Sequence, residues 1–180
     1  MGAAMSSLRL FVWAPVLALA LLTLPNCDDD GGGCEPGHPC NCRGGICEVD
    51  CSDIDGCQPI CAEHNACRAR CGDDCLFDCT RGTECQVECR NDCQVTCDAA
   101  SDCQASCGAR CHYECSNVSD CEPKVGPDSV VECTSVGRCS VSCDGACEVF
   151  CNGTGSCDVR CSSGSAVECG GGRVVCGGSC

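Results

Sequence analysis

Short segments in which cysteine and a small apolar residue alternate with polar residues recur along most of the chain. Five of them read Cys-Gln-Val-Glu-Cys, Cys-Gln-Val-Thr-Cys, Cys-Ser-Val-Ser-Cys, Cys-Glu-Val-Phe-Cys and Cys-Asp-Val-Arg-Cys. Alternation with period two is typical of a strand with one buried face. A helix could also place cysteines four residues apart on one face, but the β-branched centres and the scattered glycines oppose it. The pattern therefore predicts five-residue strands with Cys, Val and Cys pointing inwards.

These segments follow a fixed internal repeat of 18 residues. Full units read C-x3-C-x3-C-x3-C-x5, and a looser 20-residue unit begins at Cys47. A unit of two short strands cannot bury its own inner face, so successive units must stack. We predict an all-β, disulfide-rich β-solenoid of about seven coils, each contributing about 4.8 Å to its length. The repeat starts at Cys67, Cys85, Cys103, Cys121, Cys139 and Cys157, and the inward column of the second strands would hold Phe77, Val95, Tyr113, Val131, Val149 and Val167.

Composition shows what must hold such a chain together. There are 31 cysteines in 180 residues, but only 21 large apolar residues follow Cys27. Too few apolar side chains remain for a conventional core, so cross-links must supply the stability. Metal-thiolate proteins use C-x-C and C-x2-C spacings. This chain has one C-x-C, Cys40-Asn41-Cys42, and no C-x2-C, which favours disulfides and predicts no metal site and no cofactor.

The N-terminus has a different composition from the rest. Arg9 precedes an apolar run from Leu10 to Leu24, typical of a secretory signal helix. The run is shorter than the roughly 20 residues that span a bilayer, which argues against a permanent transmembrane anchor. An acidic, glycine-rich stretch follows Cys27. The predicted organisation is a signal peptide (1–26), a tether with an N-terminal cap (27–46), the solenoid (47–174) and a C-terminal cap (175–180).

Two resemblances extend this interpretation. The run that ends at Cys27 resembles bacterial lipoprotein signal peptides, although Pro25-Asn26 stands where such signals usually have a small residue. This resemblance implies lipidation of Cys27; ordinary cleavage near Ala18-Leu19-Ala20, followed by release, is the alternative. The C-x-V-x-C repeat resembles uncharacterised cysteine-rich lipoproteins of predatory and gliding bacteria, and disulfide-stapled β-solenoids such as the beetle antifreeze proteins. Export implies an oxidising compartment, either the bacterial cell envelope or the medium.

The unit that starts at Cys121 suggests which cysteines pair. Both of its inner cysteines are replaced, by Val125 and Ser129, and their joint loss indicates that the inner positions are partners. In a flattened coil the first cysteine faces the fourth and the second faces the third. A rival scheme joins equivalent cysteines of adjacent coils, such as Cys89 with Cys107. The predicted pairs are Cys85–Cys97, Cys89–Cys93, Cys103–Cys115, Cys107–Cys111, Cys121–Cys133, Cys139–Cys151 and Cys143–Cys147, with the same scheme in the coil that starts at Cys67.

Charge and the scarcity of catalytic residues narrow the function. The formal net charge is −15, which disfavours nucleic acid as a partner. The three histidines, His38, His64 and His112, lie far apart in the sequence and suggest no catalytic dyad, so we expect no enzyme. Glu84, Asp102 and Asp120 occupy one turn position in successive coils. They predict either a weak Ca²⁺ site or solvated charges.

These features together predict a non-enzymatic, exported and lipid-anchored structural or interaction protein of the cell envelope. It would contact the membrane through its lipid and would bind an unknown protein or surface partner. The alternative is a thiol-rich metal-binding or redox-buffer protein.

Overall fold

A computed structural model describes residues 26–27, 34–42, 45–62 and 66–180. The predicted signal segment lies outside these residues. Within the described ranges every regular element is a strand, and no helix is long and apolar enough to cross a membrane. The strands are β1 (Asn26–Cys27), β2 (Pro39–Cys42), β3 (Ile46–Cys51), β4 (Gln58–Ala62), β5 (Ala66–Cys71), β6 (Leu76–Thr80), β7 (Glu84–Glu88), β8 (Gln94–Asp98), β9 (Asp102–Cys107), β10 (His112–Ser116), β11 (Asp120–Val125), β12 (Ser129–Thr134), β13 (Arg138–Cys143), β14 (Cys147–Asn152), β15 (Ser156–Cys161), β16 (Val167–Gly170) and β17 (Arg173–Cys176).

The strands form two sheets, and the chain crosses from one sheet to the other at nearly every turn. The odd-numbered strands from β3 to β15 form a seven-stranded parallel sheet, whereas the even-numbered strands run through a ten-stranded sheet. Neighbouring strands are in register at 18 residues, so that Cys85 lies beside Cys103 and Cys97 beside Cys115. This is a β-solenoid of about six turns, and the all-β prediction is confirmed.

The core lies between the sheets and consists of the inward residues of the period-two pattern. The predicted column of the ten-stranded sheet is buried from Phe77 to Val149, each residue having at most 2% of its surface exposed. Like side chains therefore stack on like side chains along the solenoid, and cysteines fill the space on either side. Since each cysteine is small, the disulfides complete the packing that a larger apolar core would otherwise supply.

The column ends one coil earlier than predicted. Val167 is 40% exposed on the outer strand β16, and Val174 takes its place beside Val149. The chain reverses at Gly170–Gly172, whose three φ angles are all positive, so that β17 pairs antiparallel with β14. Glycine adopts such angles without steric cost. Consecutive glycines thus replace the seventh coil with a hairpin, which covers the end of the ten-stranded sheet.

Hydrogen bonds between coils continue through the turns. The left-handed residues Asp74, Asp92 and Arg110 recur every 18 residues, and the N–H of Asp92 donates to the carbonyl of Ala109 over 3.0 Å. Beside them, the N–H of Asn91 donates to Asp73 Oδ1 over 2.8 Å, and Asn91 Oδ1 accepts from the N–H of Ala109 over 2.9 Å. Backbone groups at these corners are therefore satisfied by the next coil, as buried or crowded polar groups require.

The disulfide framework corrects the predicted pairing. Each five-residue turn is bridged, with Cα atoms 6.3–6.6 Å apart in five successive pairs. The predicted first-to-fourth partners Cys121 and Cys133 do face each other, with sulfurs 4.0 Å apart. Each is nevertheless bonded across a five-residue turn, because that turn joins the two strand ends directly. The bonded pairs are Cys79–Cys85, Cys97–Cys103, Cys115–Cys121, Cys133–Cys139 and Cys151–Cys157, instead of Cys85–Cys97, Cys103–Cys115, Cys121–Cys133 and Cys139–Cys151.

The inner cysteines pair as predicted in only some coils. Disulfides join Cys71 to Cys75 and Cys143 to Cys147, each across a three-residue turn with Cα atoms 6.0 Å apart. The predicted inner pairs Cys89–Cys93 and Cys107–Cys111 are not bonded, and these four cysteines are free. They lie in two consecutive coils, where each sulfur meets sulfurs of both coils rather than one partner.

Candidate functional site

The four free cysteines come together at one corner of two adjacent coils. Cys89 directly follows β7 and Cys93 directly precedes β8, whereas Cys107 ends β9 and Cys111 directly precedes β10. The parallel register between these strands places Cys89 beside Cys107 and Cys93 beside Cys111. Two three-residue turns, 90–92 and 108–110, join the cysteines within each coil. We call these four residues the cysteine cluster.

The cluster is buried and its thiols contact one another. Cys93, Cys107 and Cys111 have 1%, 7% and 2% of their surface exposed, whereas Cys89 is half-buried. The Cys107 thiol is hydrogen-bonded to the other three, and the Cys93 thiol is hydrogen-bonded to Cys89 and Cys111 as well. The structure therefore contains one group of four mutually contacting sulfurs.

These hydrogen bonds separate the acidities of the thiols. The pKa of Cys93 is lowered because its sulfur accepts hydrogen bonds from Cys107, Cys111 and Cys89. The pKa of Cys107 is raised because its thiol donates to Cys111, Cys89 and Cys93, and because burial disfavours its thiolate. A single negative charge in the cluster is thus held on Cys93, the form in which a cysteine acts as a nucleophile or a metal ligand.

The coils on either side limit the cluster to four sulfurs. On one side lies the Cys71–Cys75 disulfide. On the other side, Val125 is in register with Cys107, and Ser129 Oγ accepts a 3.0 Å hydrogen bond from the N–H of Cys111. Val125 and Ser129 are 0% and 1% exposed. The replaced inner cysteines are therefore packing residues that close one end of the cluster.

A cleft of about 430 Å³ leads to the cluster from the surface. Its walls include Cys89 and Cys107 from the cluster, together with Lys124 and Asp144 from later coils. Cys89 is the most exposed of the four thiols. A small ion or a thiol reagent would therefore reach the cluster along this cleft, past one positive and one negative side chain.

The other predicted site residues lie elsewhere. Glu84, Asp102 and Asp120 stack in register as expected. Arginines contact two of them: Arg138 Nε lies 2.9 Å from Asp120, and an Arg68 nitrogen lies 3.8 Å from Glu84. These ion pairs lower the repulsion between the carboxylates without a cation.

The predicted lipidation site and the histidines do not join the cluster. Cys27 lies in β1 with its backbone in register with Cys42, and its side chain lies outside the described residues. His112 Nε2 is 4.0 Å from a Glu132 oxygen on the outer surface, His38 is exposed, and His64 lies outside the described residues.

The sequence carried a signal for the cluster that pairing coil by coil overlooked. The units at Cys85 and Cys103 are consecutive and complete, and the next unit lacks both inner cysteines. Parallel register then predicts four inner cysteines in a two-by-two arrangement, with an apolar residue beyond them. Comparison with protein-family models, with curated proteins and with solved structures gives no match to this chain.

Proposed function

We propose that this protein is a non-enzymatic, exported rod that serves a structural or interaction role in the cell envelope of a bacterium, anchored by a lipid on Cys27. The observation that carries the proposal is the uninterrupted series of disulfides across the five-residue turns from Cys79 to Cys157. A protein that needs a cross-link in every coil is suited to holding a fixed length and shape. Residues 27–46 would tether it to the membrane.

Three further features support this proposal. Extensive disulfide bonding is consistent with an exported or extracellular protein. Parallel sheets that run the length of the solenoid leave only short turns exposed, which suits a rigid spacer. The net charge of −15 keeps such rods apart from one another and from other acidic surfaces.

A general thiol buffer receives less support. Thirteen disulfides occupy 26 of the cysteines with described side chains and leave the cysteine cluster as four thiols. A buffer or metal store needs most of its cysteines free. The four clustered thiols favour a single defined site instead.

The experiment combines cell fractionation with thiol counting. Full-length protein is expected in the detergent-extracted membrane fraction, and Cys27→Ala should move it to the soluble fraction with its disulfides intact. The matched control Asp29→Ala changes the tether but keeps Cys27, and should stay with the membrane. Soluble wild-type protein whose N-terminus precedes Cys27 would refute the anchor.

The thiol count tests the rod itself. Protein isolated natively is denatured without reductant and alkylated, and its mass is measured. We expect no more than four alkylated cysteines in the lipidated protein. Alkylation of a majority of the cysteines would refute the rod and favour the thiol-rich alternative.

A further inference from the structure

We propose that Cys89, Cys93, Cys107 and Cys111 form a tetrathiolate site for one divalent metal ion of the zinc class. The site requires neither the lipid anchor nor a partner, so it stands apart from the structural role. Tetrahedral coordination by four cysteines is the commonest closed arrangement around structural zinc. The cluster offers four sulfurs, three of them buried and each in contact with others of the group.

The backbone spacing suits such a site. Adjacent parallel strands lie about 4.8 Å apart, which sets the distance between equivalent cysteines of the two coils. Within a coil, the inner positions have Cα atoms 6.0 Å apart in the equivalent pairs Cys71–Cys75 and Cys143–Cys147. Zinc–sulfur bonds of about 2.3 Å place ligand sulfurs about 3.8 Å from one another. Side-chain rotation alone can bring four sulfurs from this rectangle onto one ion.

Other sulfur groups in the described residues lack this character. Five groups of three cysteines have sulfurs within 4.8 Å of one another, but each contains a disulfide-bonded pair. A disulfide sulfur has no thiolate to offer a metal. Only sulfurs that remain free can all act as ligands, and CYS89 with its three neighbours are the free cysteines of the described residues.

The surroundings are those of a closed structural site. Val125 and Ser129 cover one end and the Cys71–Cys75 disulfide covers the other, which excludes a fifth sulfur and most water. The cleft beside Cys89 gives the ion a route, and Lys124 in its wall places a positive charge near a site whose four thiolates exceed the charge of the ion. On binding, each thiol releases its proton to solvent and forms a metal–sulfur bond. No oxidant or reductant is consumed.

The test begins with unaltered full-length protein isolated natively from the envelope. We expect one zinc per chain by elemental analysis. After the metal is removed with a chelator under anaerobic conditions, four thiols should react with a thiol reagent, and added Zn²⁺ should protect all four. Co²⁺ added to the stripped protein should give the visible bands and sulfur-to-metal charge transfer of tetrahedral thiolate coordination.

Variants locate the site. The double variant Cys93→Ser with Cys111→Ser should lose the metal and the cobalt spectrum. The matched control Cys143→Ser with Cys147→Ser removes an inner pair two coils away and should keep both. The single variant Cys89→Ser, at the half-buried rim, provides a folded test if the double variant does not fold, and should weaken Zn²⁺ binding at least tenfold.

Three outcomes would overturn the proposal. One is isolated protein without metal whose unreduced peptides show disulfides within the cluster. Another is stripped protein that has four thiols but binds neither Zn²⁺ nor Co²⁺. The third is metal binding that survives in the Cys93 and Cys111 double variant.

Discussion

The pairing across the five-residue turns makes a sharp prediction about two double variants that remove the same number of sulfurs. Cys115→Ala with Cys121→Ala deletes both members of one disulfide. Cys103→Ala with Cys115→Ala deletes one member from each of two disulfides, and leaves Cys97 and Cys121 without partners. All of these cysteines are fully buried, so the cost of lost packing is similar in the two variants. Their difference reports the pairing.

The magnitude follows from the loops that the disulfides close. Both bonds join cysteines six residues apart. For a loop of about seven residues, the chain-entropy relation gives about 2.4 kcal/mol of stabilisation for each bond. The first variant should therefore lose about one such increment and the second about two. The second variant should thus be less stable by roughly 2 kcal/mol and should gain two reactive thiols.

The assay is guanidinium unfolding without reductant, followed by circular dichroism, with thiols counted in the same samples relative to wild type. The control Cys143→Ala with Cys147→Ala removes one short disulfide elsewhere and should match the first variant to within about 1 kcal/mol. The opposite ranking, with two new thiols in the Cys115 and Cys121 variant and none in the other, would show that cysteines pair within a coil and would refute the reasoning.

Three further substitutions test the packing of the coils. Gly137→Ala would place a Cβ atom 2.6 Å from the carbonyl oxygen of Ser119, so we expect a loss of about 1–3 kcal/mol in unfolding free energy; unchanged stability would contradict the close approach of the coils. Val125→Cys together with Ser129→Cys should add one disulfide and about 2 kcal/mol, whereas either single change should leave a free thiol; peptide mapping that shows a bond to an adjacent coil would contradict this. Tyr113→Phe removes a hydroxyl that donates to a sulfur 2.9 Å away, and should cost only about 1 kcal/mol in thermal or chemical unfolding, because a phenylalanine fills the same column two coils earlier; a loss of several kcal/mol would contradict this.

The sequence alone determined the strands, their register and the inner column. Cysteines every 18 residues and the C-x-V-x-C alternation left one arrangement in which Phe77, Val95 and Tyr113 could all be buried. The reason is local and repetitive: period two sets which side chains point inwards, and a constant unit length places equivalent residues beside each other in parallel strands. Scarcity of other apolar residues then required cysteine to complete the core.

Tertiary structure alone decided which cysteines are partners and where the solenoid ends. Cys121 faces Cys133 within its own coil and Cys115 across a five-residue turn, and both lie within reach. Sequence spacing makes these two choices almost equivalent, so the height of each strand along the solenoid decides between them. The same holds for the cysteine cluster, whose four sulfurs meet only because two complete coils are stacked in register. Likewise, the reversal at Gly170–Gly172 depends on β17 finding the open edge of β14, a contact between residues 25 positions apart that no repeat pattern encodes.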